Sequence, residues 1–467
     1  MIKFGTSGWR GIIGEDFTFE NVRVATQGIA NHLKKTGQKG SGVVVAYDTR
    51  FLSEKFASEA AKILAYNGIQ AYLCTRDVPT PCVSFETVRR KAMGAINFTA
   101  SHNPPEYNGL KFSTSNGAPA LPEITKQIER EIHLVQERNE RHDVYEREEL
   151  IEEIDPKDRY LDELRRKVDV EAISKGNLRI AIDSLYGTSR DYLDYFLLEA
   201  GIDVKIIHNY RDPYFGGFSP ECNEKNLAEL RKVVLDEKYD LGLATDGDAD
   251  RFGIIDDRNR FVSPNTIIAL LAVYLKRYRN IPGGLARSVA TTHLIDAIGR
   301  KLDIPVYETP VGFKYIGELI IDNKIALGGE ESAGMSMYGH LPEKDGVLAC
   351  LLVAEMVART GKRISQLTEE MHAEFGHYYS KRVDMKLTPQ LKESLAAKLT
   401  NPPDNIDGMH VKDVNTTDGV KLIFDEQTWL LFRLSGTEPV ARVYAEACGP
   451  KELKHVLDAG RKFVAPA

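Results

Sequence analysis

The residues that could do chemistry in this sequence collect in a few short stretches, the first of them running from Thr99 through Ser101, His102, Asn103, Pro104 and Pro105 to Lys111 and Phe112. Ser101 follows an apolar run from Met93 to Phe98 that reads as a buried strand. Its hydroxyl is therefore expected at the strand's end, presented outward before a turn that Asn103, Pro104 and Pro105 keep non-helical. A serine hydroxyl is a poor nucleophile at neutral pH, and it carries a covalent intermediate only where a base takes its proton or its phosphoryl oxygens are held. His102 is the nearest base. Neighbours in an extended segment point to opposite sides, however, which makes a direct Ser101–His102 relay awkward and leaves His102 to hold phosphate oxygens or pack the loop. Lys111, on the return leg after an expected Asn108-Gly109 turn, is a candidate general acid/base if burial and neighbouring cations bring its pKa toward neutrality. A plain polar turn joining two strands would use the same residue types, so the rest of the chain has to decide.

A second stretch, Leu241 to Ile255, places Asp246, Asp248 and Asp250 at alternate positions, with Gly247 and Ala249 between them, Arg251 after them and apolar strands on both sides. On a flat strand such carboxylates would stand about 7 Å apart on one face. Converging on one ion requires the backbone to curl, and Gly247 is the expected place. Three hard oxygen donors on a curled loop suit Mg²⁺, which takes few carboxylates and leaves room for a phosphoryl oxygen. Without a cation the three would repel one another, which weighs against a plain acidic turn. An EF-hand is excluded, because Arg251 and Asp257 occupy its glycine and glutamate positions. Arg251 adds a cation suited to a transferring phosphoryl group.

Three other loops carry ligand-type residues. The opening Phe4-Gly5-Thr6-Ser7-Gly8-Trp9-Arg10-Gly11 matches neither the dinucleotide fingerprint nor the P-loop. Thr6, Ser7, Arg10 and its backbone could grip phosphate, or the segment is an N-terminal turn. Gly328 to Gly334 brackets Glu330, Glu331 and Ser332 with glycines, a combination that reads paired sugar hydroxyls or makes an acidic turn. Lys314 is a candidate ligand cation or a helix-start lysine. Near the end, Arg433, Ser435 and Thr437 around Gly436 offer a guanidinium, hydroxyls and successive backbone N–H groups, the chemistry of an anion nest or of a hairpin turn.

Strands and helices must carry these loops. Val43 to Tyr47 ending at Asp48, a helix through Ala65 and a strand from Ala71 form one strand–helix–strand unit. Arg179 to Ile182 ending at Asp183, a helix through Leu198 and Val204 to Ile207 form a second; Val289 to Thr291, a helix from Leu294 to Leu302 and Pro305 to Tyr307 form a third. Three such units imply three similar α/β domains with mixed or mainly parallel sheets. A charged tract from Ile124 to about Val168 reads as solvated helix, with a break near Asp155-Pro156. After Gly376, short alternating strands and Pro402-Pro403 mark a different, α+β domain. The expected domains are 1–150, 151–255, 256–372 and 373–467.

At 467 residues the chain exceeds one ordinary core. A net charge of −7 without a basic tail disfavours nucleic acid as a partner, so cations for an anionic ligand must be gathered locally. No apolar run approaches the roughly 18 residues of a membrane span, and no signal peptide is apparent, so a cytoplasmic protein without a membrane partner is expected. The five cysteines are scattered and unpaired in pattern, reading as reduced and mostly buried. No pattern speaks to oligomeric state.

Thr-Ala-Ser-His-Asn-Pro, Asp-Gly-Asp-Ala-Asp-Arg, Gly-Glu-Glu-Ser and Arg-x-Ser-Gly-Thr-Glu-Pro, in this order and spacing over essentially the whole chain, resemble the α-D-phosphohexomutase superfamily. The resemblance implies a four-domain enzyme, three similar α/β mixed-sheet domains plus a C-terminal α+β domain, in which Ser101 is carried as phosphoserine. It implies Mg²⁺ bound by that phosphate with Asp246, Asp248 and Asp250, Lys111 and His102 in proton handling, and Arg10 and Arg251 near the phosphoserine. Glu330 and Ser332 would hold sugar hydroxyls, and Arg433, Ser435, Gly436, Thr437 and Arg442 would clamp the phosphate not being transferred. The implied reaction is a 1-to-6 phosphoryl shift through a hexose 1,6-bisphosphate that turns end for end, with a small-molecule sugar phosphate as partner. Gly-Glu-Glu-Ser-Ala-Gly with Glu-Thr-Pro-Val-Gly-Phe-Lys resembles the glucose-preferring phosphoglucomutases; the glucosamine branch usually has Gln, and the bacterial mannose/glucose branch Met, where Glu331 stands. Phosphoglucomutase is the expected activity, with mannose phosphate secondary. Phosphomannomutase, a dual enzyme and phosphoglucosamine mutase are the alternatives, beside two other classes: a metal-dependent sugar phosphatase, and a silent binding protein that would be expected to lack Ser101 or a carboxylate.

Overall fold

The structure, a computed structural model, describes residues 2–5, 8–138, 147–434 and 439–465. Among the described residues four main sheets follow one another along the chain. The first has six strands in the spatial order Trp9–Ile12, Tyr107–Thr114, Gly94–Phe98, Val43–Tyr47, Ala71–Cys74 and Ile151–Ile154. Its last four strands run parallel and its first two are antiparallel. Continuous apolar runs such as Val43–Tyr47 follow from burial on both faces: Val43, Val45 and Tyr47 pack toward the helices Phe19–Lys35 and Ser53–Tyr66, while Val44 and Ala46 join the core shared with the next domain. Thr18 caps the first of these helices, accepting from the Asn21 N–H.

The second sheet (Phe261–Val262, Phe252–Ile255, Leu241–Thr245, Arg179–Asp183, Asp203–Ile207) and the third (Val306–Thr309, Gly284–Ser288, Ile325–Gly329, Met335–Met337) are also mixed. The fourth (Tyr379–Lys386, Val440–Ala447, Trp429–Leu434, Val420–Ile423, Asp413–Asn415) is antiparallel throughout. One apolar core runs from Val44 to Phe375 through the first three sheets, threaded by the almost wholly buried helix Gly346–Thr360. The fourth domain has its own core and meets the third through a small cluster of Val289, Ala290, Trp429, Leu431 and Tyr444. Three domains are thus fused through a common interior, and the fourth is attached by a patch.

Several local expectations change. The charged tract is not one helix: a helix spans Pro122–Glu137, residues 139–146 lie outside the described set, and Ile151–Ile154 adds an edge strand to the first sheet before a helix at Lys157–Lys167. Pairing along Ala71–Cys74 overrides the charge pattern there. The third unit's strand is Gly284–Ser288, ahead of the expected Val289–Thr291, although its helix is Leu294–Leu302. Asn108-Gly109 is no turn but lies inside the strand Tyr107–Thr114, because the chain reverses earlier, over the two prolines. All five cysteines are free and four are buried. No described helix is long and apolar enough to cross a membrane.

Candidate active site

The strand Gly94–Phe98 delivers the Ser101 loop and the strand Tyr107–Thr114 carries the chain back, so Lys111 stands within the returning strand opposite Asn97, while Ser101 lies in the loop just past the end of the first. Ser101 itself is left-handed, φ 53°, and almost fully buried. Its hydroxyl does not face outward as the sequence suggested: Oγ lies 3.2 Å from Asp246 Oδ2 and 3.3 Å from His102 Nδ1. Opposite-facing neighbours are a property of extended backbone, and the left-handed turn at Ser101 removes that premise for His102. His102 is held neutral, its pKa well below the ordinary value because of the Arg251 charge, burial and Arg10.

Asp246, Asp248 and Asp250 are buried, each offering an oxygen within 4.8 Å of the others'. Within this loop the left-handed residue is Ala249, φ 56°. Gly247 is needed for a different reason: a Cβ there would stand 2.8 Å from Pro220 Cγ and 3.0 Å from the Ser101 carbonyl oxygen. Absence of a side chain lets the carboxylate loop of the second domain lie against the serine loop of the first. Asp248 Oδ1 and Asp250 Oδ1 are buried without a hydrogen-bond partner. Hard oxygens with unused lone pairs, converging beside a serine hydroxyl, fit a divalent cation of the Mg²⁺ type.

Cations surround this carboxylate cluster. Lys111 Nζ lies 2.6 Å from Asp248 and 3.1 Å from Asp250, and Lys344 Nζ lies 3.2 Å from Asp250. Arg251 Nε stands 3.7 Å from Asp250. Burial works to lower the Lys111 pKa, but the two aspartates outweigh it and the pKa rises, away from the lowering on which its candidacy as a base is conditional. The expectation counted burial and neighbouring cations and left out the carboxylates. Asp246 and Asp250 separate in turn: burial beside the other two aspartates pushes Asp246 well up, whereas Lys111, Lys344 and Arg251 overcome burial and hold Asp250 far below the usual range.

The remaining candidates converge on one cleft of about 220 Å³, lined by Arg10, His102, Lys111, Arg251, Lys314, Glu330, Ser332, Arg433 and Arg442. Arg10 is on the first strand opposite Gly109, whose missing Cβ leaves room for the Arg10 stem; its Nη1 donates to Asn103 Oδ1 at 2.7 Å. Burial and Arg251 lower the Arg10 pKa to about 10. Glu330 accepts from the Gly312 N–H at 2.7 Å, and burial beside Glu331 raises its pKa to about 7. Lys314, in the first turn of Phe313–Ile321, is buried, which lowers its pKa. Ser332 is half-buried on the cleft wall. Arg433 and Arg442 are cross-strand partners in the fourth sheet. Thr6, Ser7, Ser435, Gly436 and Thr437 lie outside the described residues.

Sequence reasoning missed three residues here. Thr80 donates through Oγ1 to Asp248 Oδ2 at 2.6 Å; its only signal was the Thr80-Pro81 helix start. Lys344 had no signal, standing in the irregular segment before Gly346–Thr360. Asp418 joins two domains, accepting from Arg433 Nη2 at 2.8 Å and from the Val311 N–H at 2.9 Å.

Comparison with known proteins follows the domain order. The chain matches the phosphoglucomutase/phosphomannomutase family models for α/β/α domain I over residues 1–139, domain II over 158–259, domain III over 263–375 and the C-terminal domain over 390–462. A protein of Thermococcus kodakarensis described as phosphoglucomutase/phosphomannomutase is 31% identical, covering 99% of this chain and 98% of its own. A Methanothermobacter thermautotrophicus protein provisionally described as phosphoglucosamine mutase is 30% identical over 99% of this chain and 97% of its own. A crystal structure from Thermus thermophilus, provisionally described as a phosphomannomutase, superposes with a TM-score of 0.86 at 34% identity, covering 99% of both chains.

Proposed function

The chain belongs to the phosphoglucomutase/phosphomannomutase family of phosphohexomutases, and from that premise we propose that it interconverts glucose 1-phosphate and glucose 6-phosphate through phosphorylated Ser101 and a hexose 1,6-bisphosphate. The observation that carries this reading is the convergence of four distant loops: His102, Arg251, Glu330 and Arg433 line one cleft, and Ser101 and Asp246, on the same loops as the first two, meet at 3.2 Å. A sugar carrying phosphate at either end needs a donor serine at one wall and a cationic clamp at the other.

In this reading the phosphoryl group leaves Ser101 Oγ for a sugar hydroxyl: the new P–O bond forms as the Ser101 P–O bond breaks, and the proton lost by the sugar hydroxyl is balanced by one gained at the departing Ser101 Oγ. Neutral His102, 3.3 Å from Oγ, can accept a proton when Ser101 attacks in the return step. Lys111, held as an ammonium by Asp248 and Asp250, can donate a proton to the leaving oxygen. Arg10 and Arg251 face the transferring group, and Asp246, Asp248 and Asp250 hold the divalent cation, which when bound offsets the charge on that group. Glu330, fixed by the Gly312 N–H, accepts from sugar hydroxyls beside Ser332, while Arg433 and Arg442 with Ser435, Gly436 and Thr437 grip the spectator phosphate. Closure of the fourth domain over the cleft would exclude the water that hydrolyses phosphoserine.

Glucose is favoured by Glu331 in the sugar-reading loop, with mannose phosphate as the secondary substrate. Coupled assays with the 1-phosphates of glucose, mannose and glucosamine test this, and much faster conversion of glucosamine 1-phosphate would refute it. A phosphatase would instead accumulate inorganic phosphate. The intact mass should show one phosphate that disappears in Ser101→Ala.

A further inference from the structure

We propose that Arg50 is the positioning residue of the serine nucleophile, pinning the backbone of the Ser101 loop and thereby the direction of Oγ. The inference deepens the mutase reading above and rests on it for its kinetic arm. Arg50 is wholly buried, and all five of its N–H donors are used. Nη2 donates to the carbonyls of Ser101 and Asn103, both at 2.6 Å, and Nη1 to those of Pro104 at 2.8 Å and Tyr107 at 2.9 Å. Four of the five donors thus serve one loop.

The fifth anchors the guanidinium to the sheet. Nε donates to Asp48 Oδ2 at 3.1 Å, and Asp48 sits just past the central strand Val43–Tyr47, its other oxygen accepting from the Arg50 N–H at 2.9 Å and from Ser53 Oγ at 3.0 Å. Phe215 of the second domain covers the guanidinium, 5.0 Å from its ring centre. The segment itself satisfies only the Pro104 carbonyl, which also accepts from the Tyr107 N–H at 3.1 Å; Pro104 and Pro105 have no N–H to give to the others. Ser101 also holds a left-handed conformation, which for a non-glycine residue persists only where its surroundings impose it. Removing Arg50 frees that residue to relax, and Oγ then leaves its place 3.2 Å from Asp246.

Every Arg50 N–H is spent on a protein acceptor, so it acts through the Ser101 backbone and not on substrate. Lysine cannot replace it: an ammonium is a point donor with three N–H groups, unable to span four carbonyls and a carboxylate.

The test uses the full chain with Mg²⁺ and glucose 1-phosphate. For R50A and R50K, kcat should fall about 100-fold, the effect of a displacement near 1 Å at a reacting atom, while KM stays near wild type because Glu330 and Arg433 are untouched. Transfer of phosphate from glucose 1,6-bisphosphate to Ser101, followed by intact mass, should slow in parallel, and amide exchange over 99–107 should rise selectively. Added guanidinium should restore part of the R50A rate and none of the R50K rate. Wild-type kcat in a folded variant, or a general rise in exchange with kcat and KM changed together, would overturn the inference. Should R50A not fold, R50K decides by the same split. Failure of wild-type protein to convert glucose 1-phosphate would refute the mutase reading instead, and exchange over 99–107 would still judge Arg50.

Discussion

Replacing Lys111 by methionine isolates the electrostatics of the site. The substitution keeps most of the aliphatic stem and removes an ammonium lying 2.6 Å from Asp248 and 3.1 Å from Asp250. Asp250 retains Lys344 at 3.2 Å and Arg251 at 3.7 Å, but Asp248 is left with the Thr80 hydroxyl alone among its polar side-chain partners within hydrogen-bond reach. Removing one partner of a buried ion pair costs about 3–5 kcal/mol, because the remaining charge is stranded in a medium that solvates it poorly. In EDTA the first thermal transition of Lys111→Met should therefore fall by roughly 5–10 °C. A divalent cation returns positive charge to the same carboxylates, so millimolar Mg²⁺ should recover more stability in the variant than in wild type. Scanning calorimetry of both proteins with and without Mg²⁺ measures this. Equal transition temperatures in EDTA, or equal Mg²⁺ increments, would refute the idea that Lys111 neutralises the aspartates.

Three further outcomes follow from particular contacts. Gly247→Ala places a methyl against Pro220 and the Ser101 carbonyl, and should cost about 1–3 kcal/mol in urea unfolding together with a fall in kcat. Asp418→Ala frees Arg433 from its interdomain tether, which should raise KM for glucose 1-phosphate several-fold with little change in melting temperature, since only two contacts are lost. Glu330 titrates near 7 in the folded chain against about 4.5 unfolded, so between those values the folded state holds a proton that the unfolded state has lost. Stability should then fall as pH rises from about 4.5 to about 7, by roughly 3 kcal/mol at one pKa unit per 1.36 kcal/mol, and Glu330→Gln should flatten that limb in pH-resolved denaturation.

Much of the site was readable along the chain because its chemistry is local in sequence. A serine after an apolar strand, carboxylates at alternate positions and glycines around Glu330 each state a constraint that the loop must meet by itself, and all three loops fall at the ends of buried strands. The alternation of strand and helix gave the three α/β units for the same reason: periodicity is a property of neighbouring residues. What depends on distant partners was out of reach. Whether Ser101 faces outward, and which way the Lys111 pKa moves, is set by aspartates more than 130 residues away. Burial could be foreseen for Lys111, but the sign of its shift comes from the balance between burial and two carboxylates, and only the packed structure supplies both. The same holds for Arg50, unremarkable in Asp48-Thr49-Arg50 until the fold brings four carbonyls of one loop to its guanidinium. Residue types and spacing determined which chemistry this chain could attempt, and tertiary packing, by fixing distances and excluding water, decided which charges face one another and so which group can give or take a proton.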